Sequence, residues 1–377
     1  MAGIYLHIPF CKQACHYCDF HFTTSLKYKD ELLQAMFKEL DLRQSYLQYE
    51  TIETIYFGGG TPSLVGATEI QYLIDKISQN FSISASAEIT LEANPDDLDH
   101  VTVRAFRSTA INRFSIGIQS FFEEDLRWMN RAHNAAEADS AVKRVQDAGF
   151  GNITLDLIYG YPLLTNEKWK SNIHKAIDLN IPHISAYGMT VEPKTALASF
   201  IGKGTQQAMN EQQSSEQYLS LINLLTDAGF EHYETSNFAK PDCYSKHNTN
   251  YWKGETYLGI GPSAHSYNRT SRQWNIANNA KYIDGILKGT PASELENLTL
   301  ENRINEYIMT SLRTSWGMDI GKIEKDFGPD YKKQIEKGLD PYVKKEQITL
   351  KSNIAILTNS GKLYADRIAS DLFIILN

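Results

Sequence analysis

Short apolar runs alternate with amphipathic stretches along the first half of the chain. The runs are rich in β-branched and aromatic residues, which favour strands, and they are Ile4–His7, Thr54–Phe57, Glu88–Leu91, Arg113–Ile116, Ile153–Leu157 and His183–Tyr187. Each run precedes residues with helical spacing, most clearly Tyr28–Leu47, Glu137–Ala148 and Glu216–Ala228, whose apolar positions fall on one helix face. Six strand–helix units in series predict an α/β fold with a parallel sheet and right-handed crossovers.

Polar and glycine-rich segments lie where these predicted strands end. They are the cysteine-containing segment after the first strand, Gly58–Pro62, Glu92–Pro95, Gln119 and Asp156. Periodicity does not decide whether the sheet closes toward a barrel or stays open and doubly wound, but both architectures bind ligands at the carboxyl ends of the strands. The sequence therefore predicts one site built from five loops.

The second half of the chain changes character twice. A stretch rich in loops, aromatics and His follows residue 240, and a helix-rich segment begins near Thr299. That segment contains the β-like runs Gln347–Leu350 and Ile354–Leu357 and ends in an amphipathic helix. The pattern predicts a barrel-like α/β domain that holds the site at 1–240, a connecting segment at 241–298 and a small helix-rich, winged-helix-like C-terminal domain at 299–377.

The composition is that of a globular protein. Apolar residues make up 42% and charged residues 22% of 377, which excludes wholesale disorder and a fibrous repeat. The net charge of -8 provides no basic field for nucleic acid. No apolar run approaches the roughly 18 residues of a membrane span, and the N-terminus lacks the order of a secretion signal. We expect a cytoplasmic protein without a transmembrane segment.

Three of the four cysteines, Cys11, Cys15 and Cys18, fall within eight residues. In a reducing compartment such clustering indicates a metal or redox site rather than disulfides. A structural zinc site needs four protein ligands, so His7, His16 or Cys243 would have to complete it. Three thiolates would instead leave one iron of a four-iron cluster open to a bound molecule.

The segment from Cys11 to Cys18, directly after a predicted first strand, resembles the cluster motif of the radical S-adenosylmethionine (SAM) superfamily. The resemblance implies a partial (β/α)6 barrel in which Cys11, Cys15 and Cys18 bind three irons of a [4Fe-4S] cluster. The amino and carboxylate groups of SAM would bind the fourth iron. A structural zinc-binding protein is the remote alternative.

The resemblance also implies a set of SAM-binding residues. Backbone and hydroxyl groups of the glycine-rich loop and a carboxylate would meet the ammonium, an arginine would pair with the carboxylate, and polar side chains would meet the ribose hydroxyls. Two tyrosines would line the adenosine pocket, although either is also explained as a core aromatic. In that order, these residues are Gly59, Gly60, Thr61, Glu92, Arg131, Gln119, Asp156, Tyr5 and Tyr17.

Within the superfamily, residues 5–190 and the C-terminal third resemble the group of oxygen-independent coproporphyrinogen III oxidases. Three features favour its branch of heme chaperones, the HemW family. Phe20 stands where the oxidases have a further cysteine, only ten residues precede Cys11 where the oxidases have a longer arm, and residues 247–252 (HNTNYW) match an HNxxYW motif.

The resemblance implies that His247 ligates heme, flanked by Tyr251 and Trp252. The alternative is a loop that packs its aromatics on the barrel, with His247 as an ordinary hydrogen-bonding group. The implied function is a chaperone that binds heme and transfers it to recipient proteins, with no catalytic residue assigned. The alternative function is radical decarboxylation of coproporphyrinogen III in porphyrin biosynthesis. The sequence does not decide whether the chain forms a homodimer.

Overall fold

The computed structural model describes residues 1–375 and divides its strands between two sheets. The strands are β1 (Ala2–Ile8), β2 (Ile52–Gly59), β3 (Ile83–Ala93), β4 (Arg113–Gln119), β5 (Ile153–Tyr159), β6 (His183–Gly188), β7 (Glu231–Glu234), β8 (Asn237–Ala239), β9 (Thr256–Ile260), β10 (His265–Tyr267), β11 (Ser271–Asn275), β12 (Ser293–Asn297), β13 (Met318–Asp319), β14 (Ile348–Lys351) and β15 (Ile354–Leu357).

Helices follow most strands of the first half and dominate the C-terminal part. They are α1 (Lys29–Leu42), α2 (Ala67–Asn80), α3 (His100–Arg107), α4 (Glu123–Trp128), α5 (Ala135–Asp147), α6 (Asn166–Asp178), α7 (Ala196–Gly202), α8 (Glu211–Asp227), α9 (Lys246–Trp252), α10 (Asn279–Lys288), α11 (Leu300–Leu312), α12 (Ile320–Phe327), α13 (Pro329–Lys344), α14 (Asn359–Lys362) and α15 (Ala365–Asp371). None of the helices in residues 1–375 is long and apolar enough to cross a membrane.

The six predicted strands are confirmed as β1 to β6, which lie side by side and parallel in chain order. The order of the large sheet is β12-β11-β10-β9-β1-β2-β3-β4-β5-β6-β8-β7, so the sheet is open and the barrel is partial. The predicted first helix was too long, because α1 ends at Leu42. Arg43 leaves the helical conformation with φ of −108° and ψ of 12°, and residues 43–49 form turns.

The two faces of the parallel strands differ in chemistry. In β1, Ile4, Leu6 and Ile8 are fully buried in the apolar core, whereas Tyr5 and His7 line a cavity on the opposite, concave face. Successive side chains of a strand point to opposite faces, so one alternation supplies both layers. The apolar core therefore lies between sheet and helices, and the concave face carries polar and aromatic side chains.

Residues 241–298 hold more regular structure than the sequence indicated. Strand β9 pairs in parallel with β1, with Tyr257 opposite Gly3, and β10 to β12 extend the sheet in antiparallel fashion. The HNTNYW motif forms α9 rather than a loop. The expectation of a loop-rich segment was wrong because short strands with aromatic and polar residues show no clear apolar alternation.

The C-terminal part has its own sheet, in the order β13-β15-β14, and its own apolar core. Its elements run α11, β13, α12, α13, β14, β15 along the chain, which is the helix–strand–helix–helix–hairpin order of a winged helix. Arg313, which follows α11, connects this part to the larger sheet through an ion pair with the buried Glu234 at 3.4 Å.

Candidate functional site

A cavity of about 1240 Å³ follows the concave face of β1 to β6, from the cysteine-containing loop to α9. This volume exceeds the roughly 300–1,000 Å³ of a typical small-molecule pocket, so it has room for more than one ligand. The structure brings the candidate cluster, SAM and heme residues to this cavity: Tyr5, Cys11, Cys15, Tyr17, Cys18, Gly59, Gly60, Thr61, Glu92, Gln119, Arg131, Asp156 and His247. Of the alternative zinc ligands, His7 lines the cavity, whereas His16 and Cys243 are not among its lining residues.

The cysteine-containing loop is held in place by its backbone. The amide of Cys11 donates to the Thr23 carbonyl at 3.0 Å, and the amide of Leu197 donates to the His16 carbonyl at 2.8 Å. The His16 ring lies 2.9 Å, through Nδ1, from the Trp128 carbonyl. Leu197 belongs to α7, so three separate parts of the chain fix the conformation of this loop.

All three thiols are free and partly buried. Thr61 Oγ1 lies 3.7 Å from Cys11 Sγ, and Arg131 Nη1 lies 3.4 Å from Cys15 Sγ. Burial raises the pKa of Cys18 to about 12, so its thiol keeps the proton near neutral pH unless a metal replaces it. Within residues 1–375, no three His, Cys, Asp or Glu side chains are close enough to hold a single metal ion.

The glycine-rich loop packs directly against the cysteine-containing loop. The amide of Gly60 donates to the Ile8 carbonyl at 2.8 Å, and the amide of Thr61 donates to the Phe10 carbonyl at 2.6 Å. A Cβ atom at Gly60 would lie 2.7 Å from the Phe10 carbonyl oxygen, so only glycine fits there. Since these two amides are already bonded, they are not available to an anionic ligand group, and the carbonyl and hydroxyl oxygens are the loop's remaining polar atoms at Gly60 and Thr61.

Two carboxylates on the concave face are held by neutral donors. Glu92 accepts hydrogen bonds from Tyr56 Oη at 2.7 Å and from the Gly59 amide at 3.2 Å, and Asp156 accepts one from Ser115 Oγ at 3.2 Å. Burial raises the pKa of Glu92 to about 7, and the nearby Asp156 adds to the rise. Burial likewise raises the pKa of Asp156 to about 6. A cationic or hydroxyl-bearing ligand would stabilise the ionised form of both carboxylates.

Arg131 lies between the cysteine-containing loop and β4. Its Nη2 donates to Asn94 Oδ1 at 2.6 Å and to the Gly117 carbonyl at 2.9 Å. Its Nε is buried without a hydrogen-bond partner among the described residues. This N–H is therefore available to donate to an anionic ligand group. Gln119 has φ of 66° at an irregularity in the pairing of β4 with β5, and this directs the end of β4 differently from its neighbours.

His247 lies at the other end of the cavity from the cysteines. Its Nδ1 is 2.8 Å from Oγ1 of Thr54, near the start of β2, and its ring stacks on Tyr56 with centroids 5.0 Å apart. Tyr5 stacks on the same Tyr56 at 6.1 Å. Burial lowers the pKa of His247 to about 4, so the imidazole is neutral, the form that binds metals.

Sequence reasoning missed several residues that complete this site. Thr54, Tyr56 and Asn94 contact candidate residues directly, and Glu88 accepts the amides of Lys246 and His247 at 2.9 and 3.2 Å. The alternation of strand side chains could have identified three of them, because residues two or four apart share a face. Thr54 and Tyr56 lie on the same concave side as Gly58, and Glu88 lies on the same side as Glu92.

Comparison with known proteins agrees with this geometry. Residues 5–176 match the family model of the radical SAM superfamily, and residues 298–364 match that of the HemN C-terminal domain. The solved structure of coproporphyrinogen III oxidase (HemN) from Escherichia coli superposes with a TM-score of 0.85 and 23% identity, covering 100% of this chain and 90% of that one. The fold and the cysteine-containing loop define a radical SAM protein.

Curated relatives narrow the assignment. The heme chaperone HemW of Bacillus subtilis is 33% identical over 98% of both chains. HemW of Lactococcus lactis is 33% identical over 96% of this chain and 91% of its own, and HemW of E. coli is 38% identical over 70% and 69%. The chain belongs to the HemW family.

Proposed function

We propose that this protein binds a [4Fe-4S] cluster and SAM at the carboxyl ends of the strands and carries heme to recipient proteins. The observation that supports this most is one continuous cavity of about 1240 Å³, which has thiols, carboxylates and Arg131 at one end and His247 at the other. When bound, the cluster and SAM supply one-electron chemistry. In a chaperone that chemistry is either idle or serves only heme transfer.

Each group of the SAM molecule has its own binding residues at the cysteine end of the cavity. Cys11, Cys15 and Cys18 hold the cluster, and the oxygens of Gly59, Gly60 and Thr61, together with Glu92, accept from the ammonium. Arg131 pairs with the carboxylate, using the Nε that has no partner within the described chain. Gln119 and Asp156 bind the ribose, and Tyr5 and Tyr17 line the adenosine pocket.

His247 is the proposed heme ligand. With its Nδ1 hydrogen bonded to Thr54, Nε2 remains for iron when Nδ1 carries the proton. Tyr251 and Trp252 follow on the same helix, and their rings are 5.2 Å apart. The second candidate is the coproporphyrinogen oxidase reaction, favoured only by the likeness of fold to HemN. Product formation in anaerobic turnover with SAM and a reductant would establish it in place of the chaperone.

Anaerobic reconstitution with iron and sulfide tests the cluster. We expect the wild-type protein to gain iron, sulfide and a charge-transfer absorption, and Cys11→Ala, Cys15→Ala and Cys18→Ala each to lose them. Cys243→Ala is the matched control, because Cys243 is a free thiol that does not line the cavity. Zinc without iron or sulfide in the wild-type protein would contradict the proposal.

Titration with hemin tests the heme role. We expect His247→Ala to weaken hemin binding by at least about tenfold, the loss of one good ligand interaction of about 1.4 kcal/mol. His174→Ala, which removes an exposed histidine, should bind as the wild type does. Equal hemin affinity for His247→Ala and the wild type would show that His247 is not the ligand.

A further inference from the structure

The cavity extends beyond the barrel onto the sheet formed by β9, β10 and β11. Tyr257, His265 and Arg272 line it from these strands. The opposite face of the same strands is covered, because Leu258 and Ile260 are fully buried in the apolar core. One face of this extension is therefore packed, and the other face is open to a ligand.

The open face carries a row of aromatic rings that begins at the HNTNYW helix. Tyr251 of α9 lies 5.7 Å from Tyr257, ring centre to ring centre, and Tyr257 lies 6.1 Å from Tyr267. The guanidinium of Arg272 lies 5.9 Å from the Tyr267 ring. On the same face, His265 stacks on Trp274 with centroids 5.9 Å apart. Such a surface suits a large planar ligand.

Arg272 is the one cation suited to an anionic group of that ligand. The cationic side chains that line the cavity within residues 1–375 are Arg113, Arg131 and Arg272, with no lysine among them. Arg131 belongs to the cysteine end, and Arg113 is 1% exposed and paired with Glu88 at 3.5 Å. Arg272 is 30% exposed and pairs through Nη2 with Glu306 of α11 at 2.7 Å. Because Glu306 neutralises this guanidinium, a ligand carboxylate has to compete with Glu306 for the N–H donors and the charge of Arg272.

The strand pairing places these side chains on one face of the hairpin. Tyr267 stands opposite Arg272, and His265 stands opposite Trp274. Because residues two apart in a strand point to the same side, all four side chains lie on the face that a planar ligand would cover.

We propose that heme lies against this face of β9 to β11 and that Arg272 pairs with a heme propionate. The inference rests on the proposed heme-carrying function and adds the group that recognises the ligand's carboxylates. In the unloaded protein Glu306 occupies the same guanidinium, so the propionate competes with a carboxylate of the C-terminal part. Glu296, opposite Arg272 on β12, is exposed and forms no ion pair with it among the described residues.

The test compares hemin with hemin dimethyl ester, in which both propionates are neutral, by absorbance titration of the full-length protein. We expect the wild type to bind hemin about tenfold more tightly than the ester, since a charge-assisted pair is lost in the ester. Arg272→Gln should abolish this preference and leave affinity for the ester unchanged. Arg269→Gln is the matched control, because Arg269 is 53% exposed on the same hairpin and does not line the cavity.

A second variant keeps the test decisive if Arg272→Gln folds poorly. Glu306→Gln removes the competing carboxylate, so preference for hemin over the ester should rise above that of the wild type. An unchanged or reduced preference in Glu306→Gln overturns the inference, as does a wild type that binds both compounds equally. Equal binding leaves heme carriage intact, whereas absence of hemin binding refutes the proposed function and the inference together.

Discussion

Replacing Glu92 with Gln is expected to alter the stability of the ligand-free protein in opposite directions at pH 8 and pH 4. Burial raises the pKa of Glu92 from 4.5 to about 7, so the folded protein binds a proton more tightly than the unfolded chain does. Stability is then highest below pH 4.5 and falls as the pH rises through 7. At about 1.4 kcal/mol per pKa unit, the ionised carboxylate costs up to about 3 kcal/mol at pH 8.

Glutamine removes that cost but also removes one acceptor. Tyr56 and Gly59 donate to different oxygens of Glu92, and an amide offers one oxygen, so one hydrogen bond worth about 1 kcal/mol is lost. At pH 4, below the unfolded-state pKa, the carboxyl is largely protonated in both states, so mainly the lost hydrogen bond counts. The variant should therefore be about 2 kcal/mol more stable than the wild type at pH 8 and about 1 kcal/mol less stable at pH 4. The same residue that would hold a ligand's ammonium thus destabilises the empty protein at neutral and higher pH.

Thermal unfolding of the metal-free, reduced protein, followed by circular dichroism at both pH values, measures this effect. With about 1.3 °C per kcal/mol for a chain of this length, the difference in Tm between variant and wild type should change by about 4 °C from pH 4 to pH 8. Glu336→Gln, at an exposed position of α13, controls for the loss of a charge. A Tm difference for Glu92→Gln that is the same at pH 4 and pH 8 would refute the assigned burial cost.

Two further substitutions test the packing around the site. Gly59→Ala should lower stability by about 3 kcal/mol, because Gly59 has φ of 105° and a Cβ would lie 2.5 Å from His7 Nδ1. Gly204→Ala, with φ of 71° and nothing within 4 Å of the added Cβ, should cost only about 1 kcal/mol. Equal losses in a denaturant titration would contradict this prediction. Arg313→Gln should lower stability by about 3 kcal/mol, because it leaves Glu234, which is 2% exposed, without its cation. The double variant with Glu234→Gln should recover most of this loss in the same measurement. A double variant no more stable than Arg313→Gln would count against the ion pair.

The strand–helix alternation was sufficient to predict the parallel sheet, because each of the six strands has several apolar residues and a helix behind it. It was insufficient for β9, which contributes only Leu258 and Ile260 to the core and pairs with β1 from more than 250 residues away in the chain. A pairing between residues so far apart in the chain produces no pattern in the local sequence that could predict it. The sequence therefore predicted the first half of the fold better than the sheet extension.

The candidate site shows the same division. Residues at the ends of the predicted strands could be placed together, since parallel strands end at one edge. The position of His247 could not be predicted, because it depends on Glu88 accepting the amides at the start of α9 and on Thr54 beneath the ring. Both residues belong to strands far from the motif in the chain.

The concave face of β1 to β6 has a consequence for how such a protein can diverge. In a closed barrel of eight strands the interior side chains are themselves the core, so each interior substitution costs packing. Here the apolar residues of β1 pack on the helices, while Tyr5 and His7 line a cavity. Ligand contacts and apolar packing are thus carried by alternate residues of the same strands, so a substitution on the concave face can change the ligand contacts without opening a void in the apolar core.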